Sequence, residues 1–181
     1  MTDGITLWQQ AAAFASREHR AQIRKDGTTP YIAHPFRVAM TVRTIFGCDD
    51  PICLAAALLH DTIEDCGTDY EDILEGFGRE VADCVRALSK DMRMPEEQRE
   101  RDYDAQLERA DWRAKLIKLA DVYDNTCDRI SRKASRKLIA RCERAIAIAA
   151  TEQGHPLLDD AVGTVRALIE HVRRQDEEGE A

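Results

Sequence analysis

Residues 55–66 read AAALLHDTIEDC. Five small or apolar residues run directly into His60 and Asp61, and Glu64 and Asp65 follow within a turn. Upstream the run extends to ICLAAALL (52–59), which is apolar all round. A helix with no polar face is enclosed by other helices, so this stretch implies a helical bundle with His60 and Asp61 emerging from its interior. Helical spacing puts Glu64 one turn beyond His60 and Asp65 one turn beyond Asp61. Three carboxylates at a helix C-terminus oppose the macrodipole, which favours cations there, and they repel one another. A local conflict of this kind calls for a compensating cation or a functional reason. The bland alternative is a solvated helix end.

Working outward, the rest of the chain also reads as helix. Residues 5–20 carry Leu7, Ala11, Phe14 and Ala15 at helical spacing. RKDGTTPYIAHP (24–35) is a loop that delivers His34 as the cap of a helix opened by Pro35 and running to about Gly47. Asp50-Pro51 opens the next helix, which Gly67 closes. Shorter helices are expected over 69–76 and 78–89, a charged one within 91–110 after Pro95, and one capped by Asp111 that carries AKLIKLADVYDNT. Two more cover 131–150 and 157–175. The result is an all-α bundle of about eight or nine helices in one domain spanning 1–181, with the motifs within about 24–125 and a frayed tail over 176–181.

Composition sets the outer bounds. The chain has 181 residues, 44% hydrophobic and 33% charged, with a formal charge of −8. An acidic globular chain is poorly suited to general nucleic-acid or anionic-membrane binding, and no run reaches the roughly 20 apolar residues of a membrane span. Six cysteines form no CxxC pair, which gives a zinc ribbon no support. The opening MTDGITLWQQ lacks the basic-then-apolar pattern of a leader. The cysteines are therefore read as reduced thiols in a cytoplasmic protein.

Two further segments supply partners for the His60 cluster. His34 brings a second imidazole. Asp121 sits among Leu116, Ile117, Leu119, Ala120 and Val122, where a carboxylate is costly unless paired, exposed or bound to a metal. Two imidazoles and two carboxylates suit Mn²⁺, Fe²⁺, Co²⁺, Ni²⁺ or Zn²⁺, and ligand type alone does not choose among them.

The order His34, His60-Asp61, Asp121 resembles the H…HD…D signature of the HD-domain metal-dependent phosphohydrolases. RKDGTTPYIAHPFRVA, AALLHDTIEDC and KLADVYDN are similar to the hydrolase domain of the RelA/SpoT family, above all to its small stand-alone alarmone hydrolases, the Mesh1-like group. The resemblance covers roughly residues 5–150. It implies an HD-domain helical bundle holding one divalent cation, typically Mn²⁺, on His34, His60, Asp61 and Asp121. Glu64 and Asp65 match the catalytic acid pair that orients and activates water. Asn125 matches a contact near the ribose and 3′-phosphate, and Arg24 and Lys25 match a basic pair that packs on the nucleotide. Tyr31 would shape the same pocket, and Lys90 and Arg99 are candidate phosphate contacts. The implied reaction is hydrolysis of guanosine tetraphosphate (ppGpp) to GDP and pyrophosphate. Alternatives are an adenosine alarmone, the 2′-phosphate of NADPH, or nucleotide binding without turnover.

There are departures from the family pattern. Val122 stands where Arg or Lys is frequent, and Asp124 where His or Tyr is frequent. Both lie beside the expected pocket, which leaves the base preference open. The remaining histidines, His19, His155 and His171, are expected in solvated or structural roles, with His19 at the surface or pocket rim. The run from Arg129 to Arg144 has seven basic residues opposite an apolar stripe and reads mainly as a solvated basic face, from which one or two residues could reach a phosphate or which could serve self-association.

Overall fold

The computed structural model describes residues 4–128 and 135–178, with side chains from residue 7 onward. Helix α1 (Gly4–Glu18) is followed by α2 (Ala33–Met40), which widens into one π turn over Thr41–Ile45. Next come α3 (Pro51–Leu59), the single turn α4 (Thr62–Asp65), α5 (Tyr70–Phe77), α6 (Arg79–Leu88), α7 (Glu96–Glu108), α8 (Trp112–Cys127), α9 (Ser135–Ala149) and α10 (Pro156–Glu178). Among the described residues the only extended pairing is one isolated bridge, Ile23 to Pro30. No described helix is long and apolar enough to cross a membrane.

The expected helices appear one for one, except that the helix expected over 51–67 divides at His60-Asp61 into α3 and α4. Asp61 takes φ −98° and ψ −3°, and this interrupts the helix. The N-terminus of α3 follows the sequence signal: Asp50 accepts the Cys53 N–H at 2.8 Å, and Pro51 takes the first position, where no N–H is needed. Asp111 caps α8 in the same manner. Gly78, at φ +84°, makes the turn between α5 and α6 in a conformation that side chains other than glycine's disfavour.

Helix α3 is the axis of the bundle. Cys53, Ala55, Ala56, Ala57, Leu58 and Leu59 are all buried, and α1, α2, α6 and α8 pack around it. Its alanines, facing the buried Ala11 and Ala15 of α1, let the two backbones approach closely. Helix α8 runs beside α2, α9 and α10 and is buried along most of its length. The expected fray over 176–181 is partly overturned, because 176–178 continue α10; residues 179–181 lie outside the described residues. So does the start of the basic run, 129–134.

Candidate metal and nucleotide site

The break at His60-Asp61 points His60 into the middle of the bundle. The ring is 3% exposed. Its Nδ1–H donates to the Ala57 carbonyl at 2.8 Å. A carbonyl can only accept, so Nδ1 carries a proton and Nε2 is the atom turned towards the centre. Nε2 is fully buried and has no hydrogen-bond partner, an expensive state for a polar atom unless something else meets it.

What surrounds that atom is a set of metal-ligating groups. One donor atom from each of His34, His60 and Asp121 lies within 4.8 Å of the others. Asp61 Oδ2 sits 3.1 Å from His60 Nε2 and 3.7 Å from His34 Nε2, and Asp121 Oδ1 sits 3.2 Å from His34 Nε2. Groups about 2.1 Å from a common ion would be about 3 Å apart when adjacent and about 4.2 Å when opposite. His34, His60 and Asp121 are therefore close enough to share one divalent cation, and Asp61 Oδ2 lies beside the two imidazoles.

The electrostatics agree. Burial pushes the His34 imidazole down, but Asp121, Asp124 and Asp61 outweigh it and raise its pKa to about 9. Burial likewise opposes ionisation of Asp121, yet Lys118 and the two imidazoles hold it well below the usual carboxylate range. Lys118 Nζ reaches Asp121 Oδ2 at 2.8 Å, and Asn125 donates its amide N–H to Asp121 Oδ1. The centre is a concentration of negative charge that favours a cation.

Glu64 and Asp65 flank it. Glu64 Oε2 accepts the Lys90 backbone N–H at 2.9 Å. Tyr31 Oη donates to Asp61 Oδ2 at 2.7 Å and to Asp65 Oδ2 at 3.1 Å. Burial and the neighbouring Asp61 charge raise both acids above their ordinary values, which makes each a better proton acceptor. Tyr31 is itself pushed upward by burial and by Asp61, so it remains a donor.

A cavity of about 340 Å³ opens over this centre, within the range of small-molecule sites. All four ligand candidates line it, with Glu64, Asp65, Lys25, Tyr31, Lys90 and Asn125. Arg24 and Arg99 do not. Arg24 pairs with Asp128 at 2.7 Å, donates to Asn125 at 3.2 Å and lies over the Tyr31 ring. Its loop is held by Asp26, which accepts the Thr28 and Thr29 N–H groups at 2.8 Å. Arg99 Nε is buried and makes no hydrogen bond.

Several sequence expectations need correction. His34 is not a cap: α2 begins at Ala33 after Ile32, so His34 lies inside the first turn and is buried. The turn at Pro30-Tyr31, whose carbonyls accept the Ala33 and His34 N–H groups, starts the helix early. His19 is not at the surface. It is 1% exposed, it stacks 4.9 Å from the Tyr31 ring, and its Nδ1 meets Gln22 Oε1 at 2.7 Å. The basic face of α9 is not wholly solvated, because Arg141 and Arg144 line the cavity. Arg144 is bound by Asp104 and Glu100 of α7, and Glu100 also takes Lys90 Nζ at 2.6 Å. Lys118, Tyr103 and these α7 acids were missed in the sequence. Asp124 was noticed only as a departure, yet it is buried and bonded to His34 Nδ1 at 2.7 Å.

Comparison with known proteins agrees with this geometry. Residues 11–146 match the HD domain family model. The chain belongs to the HD-domain family. Within that family it groups with the RelA/SpoT-type hydrolases. It is 40% identical over 129 residues to the guanosine-3′,5′-bis(diphosphate) 3′-pyrophosphohydrolase MESH1 of Xenopus tropicalis, covering 71% of this chain and 72% of that one. A guanosine-3′,5′-bis(diphosphate) 3′-pyrophosphohydrolase of Aquifex aeolicus is 41% identical over 137 residues, 74% of this chain and 19% of that much longer protein. Among solved structures, one described as a metazoan ortholog of SpoT that hydrolyses ppGpp superposes with a TM-score of 0.76 at 25% identity, over 93% of this chain and 94% of its own.

Proposed function

We propose that this protein is a divalent-cation-dependent 3′-pyrophosphohydrolase that converts guanosine tetraphosphate and water to GDP and pyrophosphate. The observation that carries the reading is the buried His60 Nε2 gathered with His34 and Asp121, with Asp61 Oδ2 3.1 Å away, in the lining of one cavity. The name shared by the MESH1 relatives supports the substrate.

His34, His60, Asp61 and Asp121 would hold the cation, with Mn²⁺ the preferred ion by family likeness. When bound, such an ion neutralises phosphate charge and acidifies water. The chain's own groups supply the rest. Glu64 and Asp65 accept the proton of the attacking water, helped by their raised affinity for it. Tyr31 keeps Asp61 and Asp65 in register through its hydroxyl. The water oxygen bonds to the phosphorus attached at the 3′ position, the bond from that phosphorus to the ribose 3′ oxygen breaks, and that oxygen leaves as a hydroxyl by taking up the proton the acid pair removed from water. Lys25, Lys90, Lys118, Arg141 and Arg144 line the cavity and would offset charge on the pyrophosphate and on the 5′-diphosphate. Asn125 lines the same cavity and by family likeness would contact the ribose and 3′-phosphate. A small nucleotide substrate and the absence of any disulfide among the described cysteines favour a cytoplasmic setting.

The test is a substrate panel with purified, Mn²⁺-loaded protein and products separated by ion exchange. GDP and pyrophosphate in equal amounts from guanosine tetraphosphate, faster than products from the adenosine analogue or from NADPH, is the expected outcome. Preference for either competitor would move the specificity and keep the chemistry. No turnover of any of the three would overturn the reading.

A further inference from the structure

Asp124 does not line the cavity and is 5% exposed, so it cannot meet the substrate directly. Its oxygens are nonetheless fully committed. Oδ2 accepts His34 Nδ1–H at 2.7 Å and Arg37 Nη2–H at 3.0 Å, and Oδ1 accepts Arg37 Nε–H at 2.6 Å. Arg37 also lies outside the lining. It continues to Asp128 Oδ2 at 2.9 Å, and the same oxygen takes Arg24 at 2.7 Å. Charges of alternating sign therefore run Arg24, Asp128, Arg37, Asp124 and end on the imidazole of His34.

An ionised carboxylate only accepts hydrogen bonds, so its 2.7 Å contact to Nδ1 keeps a proton there and leaves Nε2 facing Asp61 and Asp121. The two-pronged contact from Arg37 stops the Asp124 carboxylate from turning away. With Asp124 gone, the buried Nδ1–H would lose its acceptor, and the ring would be free to turn Nε2 out of the centre.

We propose that Asp124, clamped by Arg37, is a positioning residue that fixes the orientation and tautomer of His34 and so sets the affinity of the site for a divalent cation. This rests on the reading that His34, His60, Asp61 and Asp121 hold such a cation. It gives a physical role to the position where the chain departs from its family pattern: a carboxylate there serves the metal ligand and not the base.

The test is calorimetric titration of chelator-stripped protein with MnCl₂, comparing wild type with Asp124→Ala, Asp124→Asn and Arg37→Gln. Partners behind a metal-binding histidine are typically worth about 10–100-fold in affinity, and Asp124→Ala should show a loss of that size with one ion still bound per chain. Asp124→Asn should lose less, since its amide oxygen can still accept Nδ1–H, and Arg37→Gln should lose least. At saturating Mn²⁺, Asp124→Asn should regain most of its kcat with KM unchanged, a recovery that a merely loosened fold would not give. Wild-type affinity in Asp124→Ala overturns the proposal. If Asp124→Ala does not fold, the near-isosteric Asp124→Leu, which offers Nδ1–H no acceptor, takes its place, and wild-type affinity there overturns it equally. A wild-type protein that binds no divalent cation would instead overturn the metal reading, and this inference with it.

Discussion

Helices α3 and α7 reach the same cavity from opposite kinds of sequence. Most of α3 is buried, and it ends by pushing His60 and Asp61 out of an apolar run. Helix α7, EEQRERDYDAQLE, buries only Tyr103 and Leu107 and reads as a solvated charged surface. Yet α7 supplies Glu100 and Asp104, which hold Arg144 of α9, and Glu100 also holds Lys90. On the α3 side the His60 ring is enclosed and tied by its Nδ1–H to the Ala57 carbonyl. The α7 side is a set of ion pairs at intermediate exposure, where water and a bound phosphate can compete for the same cations. One wall is built to place a cation, the other to trade its pairings with an anion.

That contrast can be broken most forcefully at α3. His60→Ala should abolish both turnover and high-affinity cation binding, because no other side chain can supply Nε2 at that point. Measurable turnover in that protein, purified free of wild type, would count against the comparison. Glu64→Gln should separate the two properties. Loss of a proton acceptor typically costs about 10²–10⁴-fold in rate, so kcat should fall by that order while calorimetry still finds one bound ion. Tyr31→Phe removes a hydroxyl shared by Asp61 and Asp65. Hydrogen bonds to charged groups contribute about 1.5–3 kcal/mol, so a fall of about tenfold or more in kcat is expected, with little change in KM.

The α7 wall should respond more mildly and in a different variable. Burial pushes the Glu100 carboxyl up, but Lys90 and Arg144 outweigh it and hold its pKa at about 2, against an ordinary 4.5. A depressed pKa in the folded state means stabilisation that is complete above the ordinary value and lost as pH falls towards the folded one. The urea midpoint of wild type should therefore drop between about pH 4.5 and pH 2 more steeply than that of Glu100→Gln. At neutral pH the same variant should change KM more than kcat, since it removes the ion pair to Lys90 and leaves Arg144 to Asp104 without touching the centre. An unchanged slope in acid would show that the α7 pairs contribute nothing to the fold.

The two walls also differ in how far they could be read in advance. Three of the four expected ligand residues stand out in the sequence because they break a local rule: His60 and Asp61 end an apolar helix, and Asp121 sits among apolar residues in another; His34 stands out only as an imidazole beside Pro35. The Asp50 and Asp111 caps were legible because a cap is decided within three residues. Glu100 and Asp104 break no local rule, and their partner Arg144 lies 40 or more residues away, so only the folded chain pairs them. Asp124 and Arg37 are separated by 87 positions and were hidden for the same reason. His19 looked like surface beside Arg17 and Arg20, but the loop carrying Tyr31 folds back over it. The expected continuous helix over 51–67 breaks at His60 and Asp61, an interruption that periodicity does not reveal.

The most direct test of the central claim is the turnover of guanosine tetraphosphate by chelator-stripped protein as Mn²⁺ is added back, with bound ion counted at each step. The expected result is no turnover without added ion, and a rise that saturates when one ion is bound per chain. Full turnover in excess chelator, or saturation with no ion bound, would contradict the assignment of His34, His60, Asp61 and Asp121 as a catalytic metal centre.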